Sequence, residues 1–366
     1  MAELGAGGGS PAPGNGNRPP ARSVTFGDRI AAAVAARESQ IVLGIDPDPL
    51  NLWRDVLAAS GELRADLALQ LADAEQTARL GPAAGASAVR PGSPAAGALA
   101  GSPRSAARVE AAAAVLAHCA ALIDAAGPAC VAVKPQLACF ERLGFAGWLA
   151  LEAVCAHAHG AGLLVLADGK RGDVPVTAAA YAQALVGETP SPFGFAAGLG
   201  ADAFTTSPLL GEDALDPLVK GAREARAGAF VLVRTSNPGA ADVFDAVLAD
   251  GRPLWERLAE MVARLGAPGR GASGLTDVGA VTGATHPEHL GRMRELMPDT
   301  VFLLPGVGAQ GGDVASLAPA FASHRAGGLV TASRSIAGAH EATGGDPAAS
   351  ARAEAERLRG QAWGLG

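Results

Sequence analysis

The chain has few aromatic residues, few cysteines and no excess of basic residues. Aromatic side chains make up 4% of the 366 residues while hydrophobic residues reach 49%, so the core must consist mostly of Ala, Val and Leu. The net charge of -7 argues against a surface for nucleic acid or anionic membranes, although a local basic pocket for a small anion is still allowed. We expect neither nucleic acid nor a membrane as a partner.

The cysteines and the N-terminus indicate a reducing compartment. Cys119, Cys130, Cys139 and Cys155 form no C-x-x-C pair, and a chain of this length needs no disulfide staples, so we expect reduced thiols. No basic segment followed by an apolar core begins the chain, and no run of about 18 apolar residues occurs. These absences predict a cytoplasmic protein.

Two segments have almost nothing to bury. Residues 1–22 and residues 81–104 consist largely of Gly, Pro and Ala, a composition typical of disorder. We interpret the first as a disordered tail and the second as a flexible insertion within a single domain spanning residues 23–366, because the short flank between them could hardly fold alone.

Eight short apolar segments alternate with helix-like segments, which predicts an α/β fold. Such strands, apolar on both sides, indicate a parallel sheet covered on both faces. The number eight favours closure into a (β/α)8 TIM barrel, with a doubly wound open sheet as the alternative. The segments are residues 41–46, 130–134, 163–168, 203–206, 229–234, 278–282, 301–304 and 328–331.

Polar residues lie at or just after the C-terminal end of nearly every segment. In a barrel these residues would converge on one mouth, which favours the barrel over the open sheet. They are Asp46, Lys134, Asp168, Lys170, Ser236, Gln310 and Arg334.

The turn after the third segment carries Asp168, Lys170 and Asp173. Its simplest interpretation is structural, with Asp173 as the N-cap of a helix whose first turn contains Pro175. The alternative is chemical. Asp168 and Lys170 are two residues apart and can project to the same side, and two carboxylates would keep Lys170 protonated and fixed, as a general acid facing a carbanion requires.

A glycine-rich loop follows the seventh segment, where Gly306, Gly308 and Gly311 match the spacing G-x-G-x-x-G. A dinucleotide fingerprint belongs in the first βαβ unit, with an acid at the end of the next strand. Here the next strand leads to Arg334 instead, and the loops after strands seven and eight of a barrel often bind phosphate. A phosphomonoester therefore fits better than NAD.

The histidines give no metal prediction. His157 and His159 are two residues apart and would diverge on a helix, while His286 and His289 lack a nearby Cys or carboxylate arranged as a ligand set. From these residues we predict no metal. Ser236, in the turn RTSNPG, is by itself more consistent with an ordinary structural turn than with a binding residue.

Taken in order, seven blocks of this sequence resemble the orotidine 5'-phosphate decarboxylases, specifically their longer bacterial branch, called type 2. The resemblance covers roughly residues 26–339 apart from the insertion, and it departs from the family at Val174-Pro175-Val176 and Leu209. It implies a TIM barrel that converts orotidine 5'-monophosphate to uridine 5'-monophosphate and CO2 in pyrimidine synthesis, without a metal or an organic cofactor. The blocks are GIDPDP, VAVKPQLACFERLG, LADGKRGDVPVTAAAYA, LVRTSNPGA, GAVTGAT, LPGVGAQGG and SRSI.

The resemblance also implies roles for the charged residues. Lys170 would protonate C6 of the pyrimidine as CO2 leaves, and Asp168 would lie against the substrate carboxylate. Lys134 and Asp46 would complete the network of charges and the contacts to the ribose.

By the same resemblance the protein is expected to be a homodimer with shared active sites. Asp173 and Thr177 would come from the second subunit. Ser236 would contact the base, while Gln310 and Arg334 would bind the phosphate under a closing loop, residues 305–313.

Two other functions remain open from the sequence. One is a Mg²⁺-dependent sugar-phosphate decarboxylase or aldolase on the same scaffold, which would need a metal-binding carboxylate. The other is a nucleotide-binding protein that has lost catalysis. The presence of Asp168, Lys170 and Asp173 together disfavours the second.

Overall fold

The computed structural model describes residues 24–59, 61, 103–308 and 311–366. The predicted tail and residues 81–102 of the predicted insertion lie outside this part of the chain, so both stay predictions. Residues 103 and 104, at the end of the predicted insertion, already belong to a helix.

Eight parallel strands close into a barrel in which each pairs with the next barrel strand along the chain, and the last pairs back to the first. All eight predicted segments are strands of this barrel, so the TIM-barrel prediction is confirmed and the open sheet is excluded. The strands are β1 (Ile41–Ile45), β2 (Ala132–Pro135), β3 (Leu164–Arg171), β4 (Glu188–Ser191), β5 (Gly194–Ala197), β6 (Ala203–Thr206), β7 (Gly228–Arg234), β8 (Val278–Thr282), β9 (Phe302–Pro305) and β10 (Gly328–Ala332).

Strands β4 and β5 form an antiparallel hairpin outside the barrel, which the sequence analysis did not predict. The hairpin is exposed, and Phe193 at its tip is 99% exposed. Because none of its residues is buried, the hairpin lacks the apolar pattern by which the barrel strands were recognised.

Helices cover the outside of the barrel and bury one face each. In the Leu254–Gly266 helix the buried residues Trp255, Leu258, Ala259 and Val262 recur at helical spacing. The helices are α1 (Phe26–Arg37), α2 (Arg54–Ala59), α3 (Pro103–Ala126), α4 (Leu137–Glu141), α5 (Gly144–Gly160), α6 (Pro175–Leu185), α7 (Glu212–Glu224), α8 (Ala240–Phe244), α9 (Leu254–Gly266), α10 (Leu290–Leu296), α11 (Arg334–Ala337), α12 (Ala339–Thr343) and α13 (Pro347–Trp363).

The barrel interior is filled mainly by aliphatic side chains, with a few phenylalanines. Phe204, Phe230 and Phe302 are fully buried, one on each of three strands. Phe26 of α1 packs edge-to-face on Phe230, with ring centroids 5.8 Å apart. A side chain at Gly228, where β7 begins, would collide with the Phe26 ring, so α1 covers the amino-terminal end of the barrel near β7.

One described helix is long and apolar enough to cross a membrane by length and composition alone. It is the segment Ala106–Ala129, and 61% of the window that meets the test is buried inside the protein. The segment packs against α5 and α13, which is the environment of a barrel helix.

Candidate active site

A cavity of about 320 Å³ lies at the carboxyl ends of the barrel strands. Six of the seven side chains predicted to converge on this mouth line it, because each lies at or just after the carboxyl end of a strand. The predicted residues that line it are Asp46, Lys134, Asp168, Lys170, Ser236 and Arg334. Gln310, predicted to bind phosphate, lies outside the described residues.

Asp168 is the centre of a hydrogen-bond network at one end of the cavity. Its Oδ2 accepts from Lys134 Nζ at 2.7 Å and its Oδ1 accepts from Lys170 Nζ at 2.7 Å. Thr205 Oγ1 donates to Oδ1 at 2.8 Å, and Gln136 Nε2 donates to Oδ2 at 3.3 Å. Asp168 is 4% exposed, so both its oxygens are satisfied by protein donors in a nearly water-free position.

The charges of this cluster stabilise one another against burial. Burial alone would raise the pKa of Asp168, but the ammonium groups of Lys134 and Lys170 outweigh it and hold that pKa well below its usual range. Burial would likewise lower the pKa of Lys134, yet Asp168 and Asp46 raise it. The Asp46 carboxylate lies 3.9 Å from Lys134 Nζ. Asp168 is therefore an anion and Lys134 a cation at neutral pH.

The backbone at Lys170 is held in a left-handed conformation, with φ 47°, which costs a residue with a side chain about 1 kcal/mol or more. Its amide donates to Thr205 Oγ1 at 2.9 Å. The next residue, Arg171, forms an ion pair with Glu141 and lies over the Tyr181 ring. These contacts fix the end of β3 so that Lys170 and Asp168, two residues apart, both face the cavity, as predicted.

The structure corrects the sequence interpretation of Asp173 in two respects. The N-cap of α6 is Val174, and no side chain caps this helix; the Asp173 carboxylate instead accepts from the Val174 amide at 2.8 Å. Among the described residues of this single chain, no ion pair joins Asp173 to Lys170. Asp173 and Thr177 do not line the cavity, so in one chain Lys170 has one carboxylate partner rather than two.

The opposite end of the cavity is formed by the glycine-rich loop and Arg334. Gly308 and Gly311 adopt φ 73° and 87°, which favours glycine. The amides of Gly308, Gly311 and Gly312 donate to carbonyls within the loop, so they are not free to bind an anion. The Arg334 guanidinium has no hydrogen bond or ion pair among the described residues, which makes it the available donor for an anion.

The turn that carries Ser236 is held from two sides. Arg234 is buried and its guanidinium donates to both carboxylate oxygens of Asp245 at 2.8 Å. Thr285 Oγ1 donates to the Ser236 carbonyl at 3.0 Å, and a Cβ at Gly283 would lie 2.7 Å from Ser236 Cα. This close approach places Ser236 beside the cavity on a supported turn.

Several cavity residues were not predicted from the sequence. Thr205 is the residue before the last in the fourth apolar segment, AFTT, and its hydroxyl was the available signal at a strand end to which no polar residue had been assigned. Gln136 directly follows β2, which ends in Lys134-Pro135. Asn237 and Ser333 adjoin predicted residues but carry no distinguishing pattern of their own.

The prediction that His286 and His289 lack a nearby carboxylate arranged as a metal ligand is wrong. Glu288 lies between them in a 3₁₀ turn, Pro287–His289, and one ligand atom from each of the three residues lies within 4.8 Å of the others.

The four cysteines are free, and three of them are buried. Burial raises the pKa of Cys130 and Cys155 to about 12, so these thiols are poor nucleophiles.

The chain matches a family model described as the orotidine 5'-phosphate decarboxylase / HUMPS family over residues 110–353. This range contains every candidate site residue except Asp46. An orotidine 5'-phosphate decarboxylase of Rhodopirellula baltica is 44% identical over 233 residues, covering 63% of this chain and 75% of the relative. One of Deinococcus radiodurans is 46% identical over 216 residues, covering 59% and 74%.

Solved structures agree with the fold. The crystal structure of a putative orotidine 5'-phosphate decarboxylase from Streptomyces avermitilis aligns with a TM-score of 0.65 and 30% identity, covering 93% of this chain and 96% of that one. The alignment therefore extends over nearly the whole length of both chains. These matches do not separate the longer bacterial branch from the rest of the family.

Proposed function

Because the chain belongs to the orotidine 5'-phosphate decarboxylase / HUMPS family, we propose that it converts orotidine 5'-monophosphate to uridine 5'-monophosphate and CO2. This is a carboxy-lyase reaction, the last step of de novo synthesis of uridine 5'-monophosphate. The observation that carries the proposal is the cluster in which Asp168 binds both Lys134 and Lys170 at one end of a cavity whose other end presents Arg334.

The reaction breaks the bond between C6 of the pyrimidine and its carboxyl carbon. The electron pair of that bond stays on C6 as CO2 departs, and a proton from Lys170 Nζ then forms the C6–H bond. The neutral amine regains a proton from solvent, which reaches the 42% exposed side chain. Every atom and charge is accounted for by substrate, Lys170 and water, so this proposal needs no metal and no organic cofactor.

The barrier for forming such a carbanion lies near the upper end of those that enzymes overcome, with roughly 20 kcal/mol to be removed. A fixed ammonium group at the position where the charge develops stabilises the transition state more than the ground state. Lys170 meets this requirement because Asp168 and the strained backbone hold it in place before substrate binds.

Asp168 has a second role in this proposal, facing the carboxylate of the substrate. Its low pKa keeps it ionised, so it repels the carboxylate of the bound substrate, and the repulsion ends when neutral CO2 leaves. Lys134, paired with both Asp168 and Asp46, limits that repulsion and positions Asp168. Asp46 would contact the ribose.

The phosphate would bind at the other end of the cavity. Arg334 offers a planar guanidinium that can donate two parallel hydrogen bonds to a phosphate. Gln310 would join it as the loop formed by residues 305–313 closes over the ligand, and Ser236 would contact the base. Phosphate binding far from C6 then contributes to catalysis by orienting the reacting group.

A homodimer with shared active sites completes the proposal. Four apolar side chains beside the charged turn are about half exposed or more, a feature typical of an interface. They are Val174 at 55%, Val176 at 86%, Leu209 at 57% and Leu210 at 48%. Covering them with a second subunit would bring Asp173 and Thr177 next to the partner's site. The valines and Leu209 are the positions that depart from the family pattern, and an apolar interface accounts for them.

Subunit exchange tests the shared site. Homodimers of Lys170→Ala and of Asp173→Asn should each be nearly inactive. After exchange, half of the dimers would be mixed and each would have one intact site, so roughly a quarter of the wild-type activity should return. No recovery, with mixed dimers demonstrated by mass spectrometry, would contradict the sharing of Asp173.

The activity itself is tested by incubating purified protein with orotidine 5'-monophosphate in buffer containing EDTA and following the loss of absorbance of the substrate. Turnover should be unaffected by the chelator. A Mg²⁺-dependent sugar-phosphate enzyme would instead lose its activity, and a non-catalytic binding protein would retain the nucleotide without producing CO2.

We also propose a cytoplasmic location and membership of the longer bacterial branch. The first is supported by four free cysteines, and the second by the seven sequence blocks. Fractionation of cells that express the chain would test the location.

A further inference from the structure

The turn between β8 and α10 brings three metal-ligating side chains together outside the proposed active site. His286 Nδ1 lies 3.0 Å from Glu288 Oε1, and His289 Nε2 lies 3.8 Å from the same oxygen. The two imidazole rings are stacked, with centroids 6.0 Å apart and 23° between their planes. This His₂Glu set is part of none of the contacts made by Asp168, Lys170 or Arg334.

Local sequence explains why these residues meet. Pro287 begins the 3₁₀ turn Pro287–His289 and disfavours a helical conformation at His286, whose backbone has φ -132° and ψ 65°. Residues three apart lie on the same side of a 3₁₀ turn, so the imidazole rings of His286 and His289 lie one above the other. Trp255 packs against the His289 ring at 5.2 Å, which limits the rotation of that ligand.

We propose that His286, Glu288 and His289 bind a divalent transition-metal ion of the Zn²⁺ class. Tetrahedral Zn²⁺ with bonds of 2.0–2.2 Å places its ligand atoms about 3.4 Å apart, and the two measured separations fall on either side of that value. Two imidazoles with one carboxylate suit Zn²⁺, whereas Mg²⁺ and Ca²⁺ prefer oxygen ligands. Three protein ligands leave one coordination position for water or a small anion.

The surroundings favour such an ion. The three ligands line a second cavity together with Asp245 and Arg234, and Asp245 neutralises the Arg234 guanidinium through two hydrogen bonds. Arg234 Nη1 is buried without a hydrogen-bond partner among the described residues. A metal-bound water or hydroxide is an acceptor of the kind that this nitrogen lacks.

The site is separate from the decarboxylation chemistry but adjoins it, since Ser236 and Asn237 line both cavities. Thr285, which hydrogen-bonds to the Ser236 carbonyl, directly precedes His286. A bound ion would therefore stiffen the turn that supports Ser236. Its effect should appear in stability and not as a requirement for turnover.

The test uses the full-length protein, stripped with EDTA and titrated with Co²⁺ and with Zn²⁺. Wild-type protein should bind one ion per chain, Co²⁺ should show the intense visible bands of tetrahedral coordination, and Zn²⁺ should raise the melting temperature. Glu288→Gln and His289→Ala should each weaken Zn²⁺ binding by roughly tenfold or more, with decarboxylation in EDTA unchanged.

The matched control is His157→Ala, because His157 and Asp124 form an exposed histidine–carboxylate pair at 2.7 Å that has no third ligand among the described residues. This variant should bind Zn²⁺ like the wild type. The proposal is overturned if the wild-type protein retains no ion, if Glu288→Gln and His289→Ala bind as tightly as wild type, or if His157→Ala weakens binding equally. A circular-dichroism spectrum shows that each variant is folded.

Discussion

The two ends of the active-site cavity are built differently. At the Asp168 end, four side chains donate to one buried carboxylate, and two of the donors are cations. At the Arg334 end, the guanidinium is exposed and has no partner among the described residues, while the amides of Gly308, Gly311 and Gly312 donate to carbonyls of their own loop. The hydrogen bonds at the Asp168 end are therefore formed before substrate binds, whereas the Arg334 guanidinium at the other end is available to donate to a ligand.

This difference separates two tasks of a decarboxylase. The end that stabilises developing charge must be rigid beforehand, because reorganisation during the reaction would cancel the benefit of a fixed charge. The end that recognises phosphate can afford to be open, because binding energy released there can drive closure. Substitutions at the two ends should therefore have different consequences for catalysis, stability and pH dependence.

The largest effect is expected from Lys170→Ala, which removes the proton donor and the fixed charge at C6. General acid catalysis alone contributes up to about 10⁴-fold, so kcat should fall by at least that order, with a smaller change in KM. Steady-state kinetics with orotidine 5'-monophosphate measures both. A variant that retained a tenth of the wild-type kcat would contradict the mechanism.

Lys220→Ala is the matched control for that substitution. Lys220 is a lysine on α7 whose side chain is 77% exposed, with one i,i+4 acidic neighbour at 4.0 Å. Its removal should leave kcat unchanged. Similar melting temperatures of the two variants would show that the loss in Lys170→Ala is chemical.

The second prediction concerns stability and contrasts Asp168→Ala with Arg334→Ala. Removing Asp168 leaves the buried Lys134 without its closest counter-charge, and breaking a buried pair from one side costs about 3–5 kcal/mol in the free energy of unfolding. Arg334 is exposed and unpaired among the described residues, so its loss should change that free energy by less than about 0.5 kcal/mol. Denaturant unfolding measures both values. Equal destabilisation of the two variants would remove the distinction between the ends of the cavity.

The fold was largely predictable because strands that are apolar on both sides, with polar residues at their C-terminal ends, are local sequence patterns. Six of the predicted site residues were found for the same reason, since each lies at or just after the carboxyl end of a strand, which must face the mouth. What the sequence could not show is which atoms meet. It suggested a lysine between two carboxylates, whereas the chain places the carboxylate of Asp168 between the lysines Lys134 and Lys170.

The remaining misses have physical causes of the same kind. The β4–β5 hairpin buries nothing, so it leaves no apolar pattern. Thr205 reports its role only through a hydrogen bond to a residue 37 positions away. The His286 turn was misjudged because Glu288 was not counted as a ligand, although the 3₁₀ turn brings its carboxylate beside both histidines. Contacts between distant segments could not be predicted from the sequence. The same holds for turns that follow neither the helical nor the strand periodicity.

The third prediction tests whether the open end acts only through phosphate. Arg334→Ala removes charge-assisted hydrogen bonds worth about 1.5–3 kcal/mol, so kcat/KM for orotidine 5'-monophosphate should fall by roughly 10- to 100-fold. For orotidine, which lacks the phosphate, wild type and variant should be equal. Competition kinetics with both substrates gives the comparison. A loss of equal size on orotidine would assign Arg334 to the chemistry or to folding instead.

The smallest effect is a difference in the pH dependence of stability. A carboxyl group whose pKa is lower in the folded protein contributes stability above its unfolded pKa of about 3.9, and that contribution is lost as the pH falls toward the folded pKa. Asp168 is such a group, so below about pH 4 it should add up to about 1.4 kcal/mol per pH unit to the loss of stability. Asp168→Asn should lack this contribution and lose stability less steeply than wild type, whereas Arg334→Ala should follow the wild-type slope.

Other carboxylates with lowered pKa, such as Asp202, are present in all three proteins and cancel in the comparison. Unfolding free energies at pH 5 and pH 3 measure the slopes, and parallel slopes for wild type and Asp168→Asn would show that Asp168 is not held ionised by its lysines.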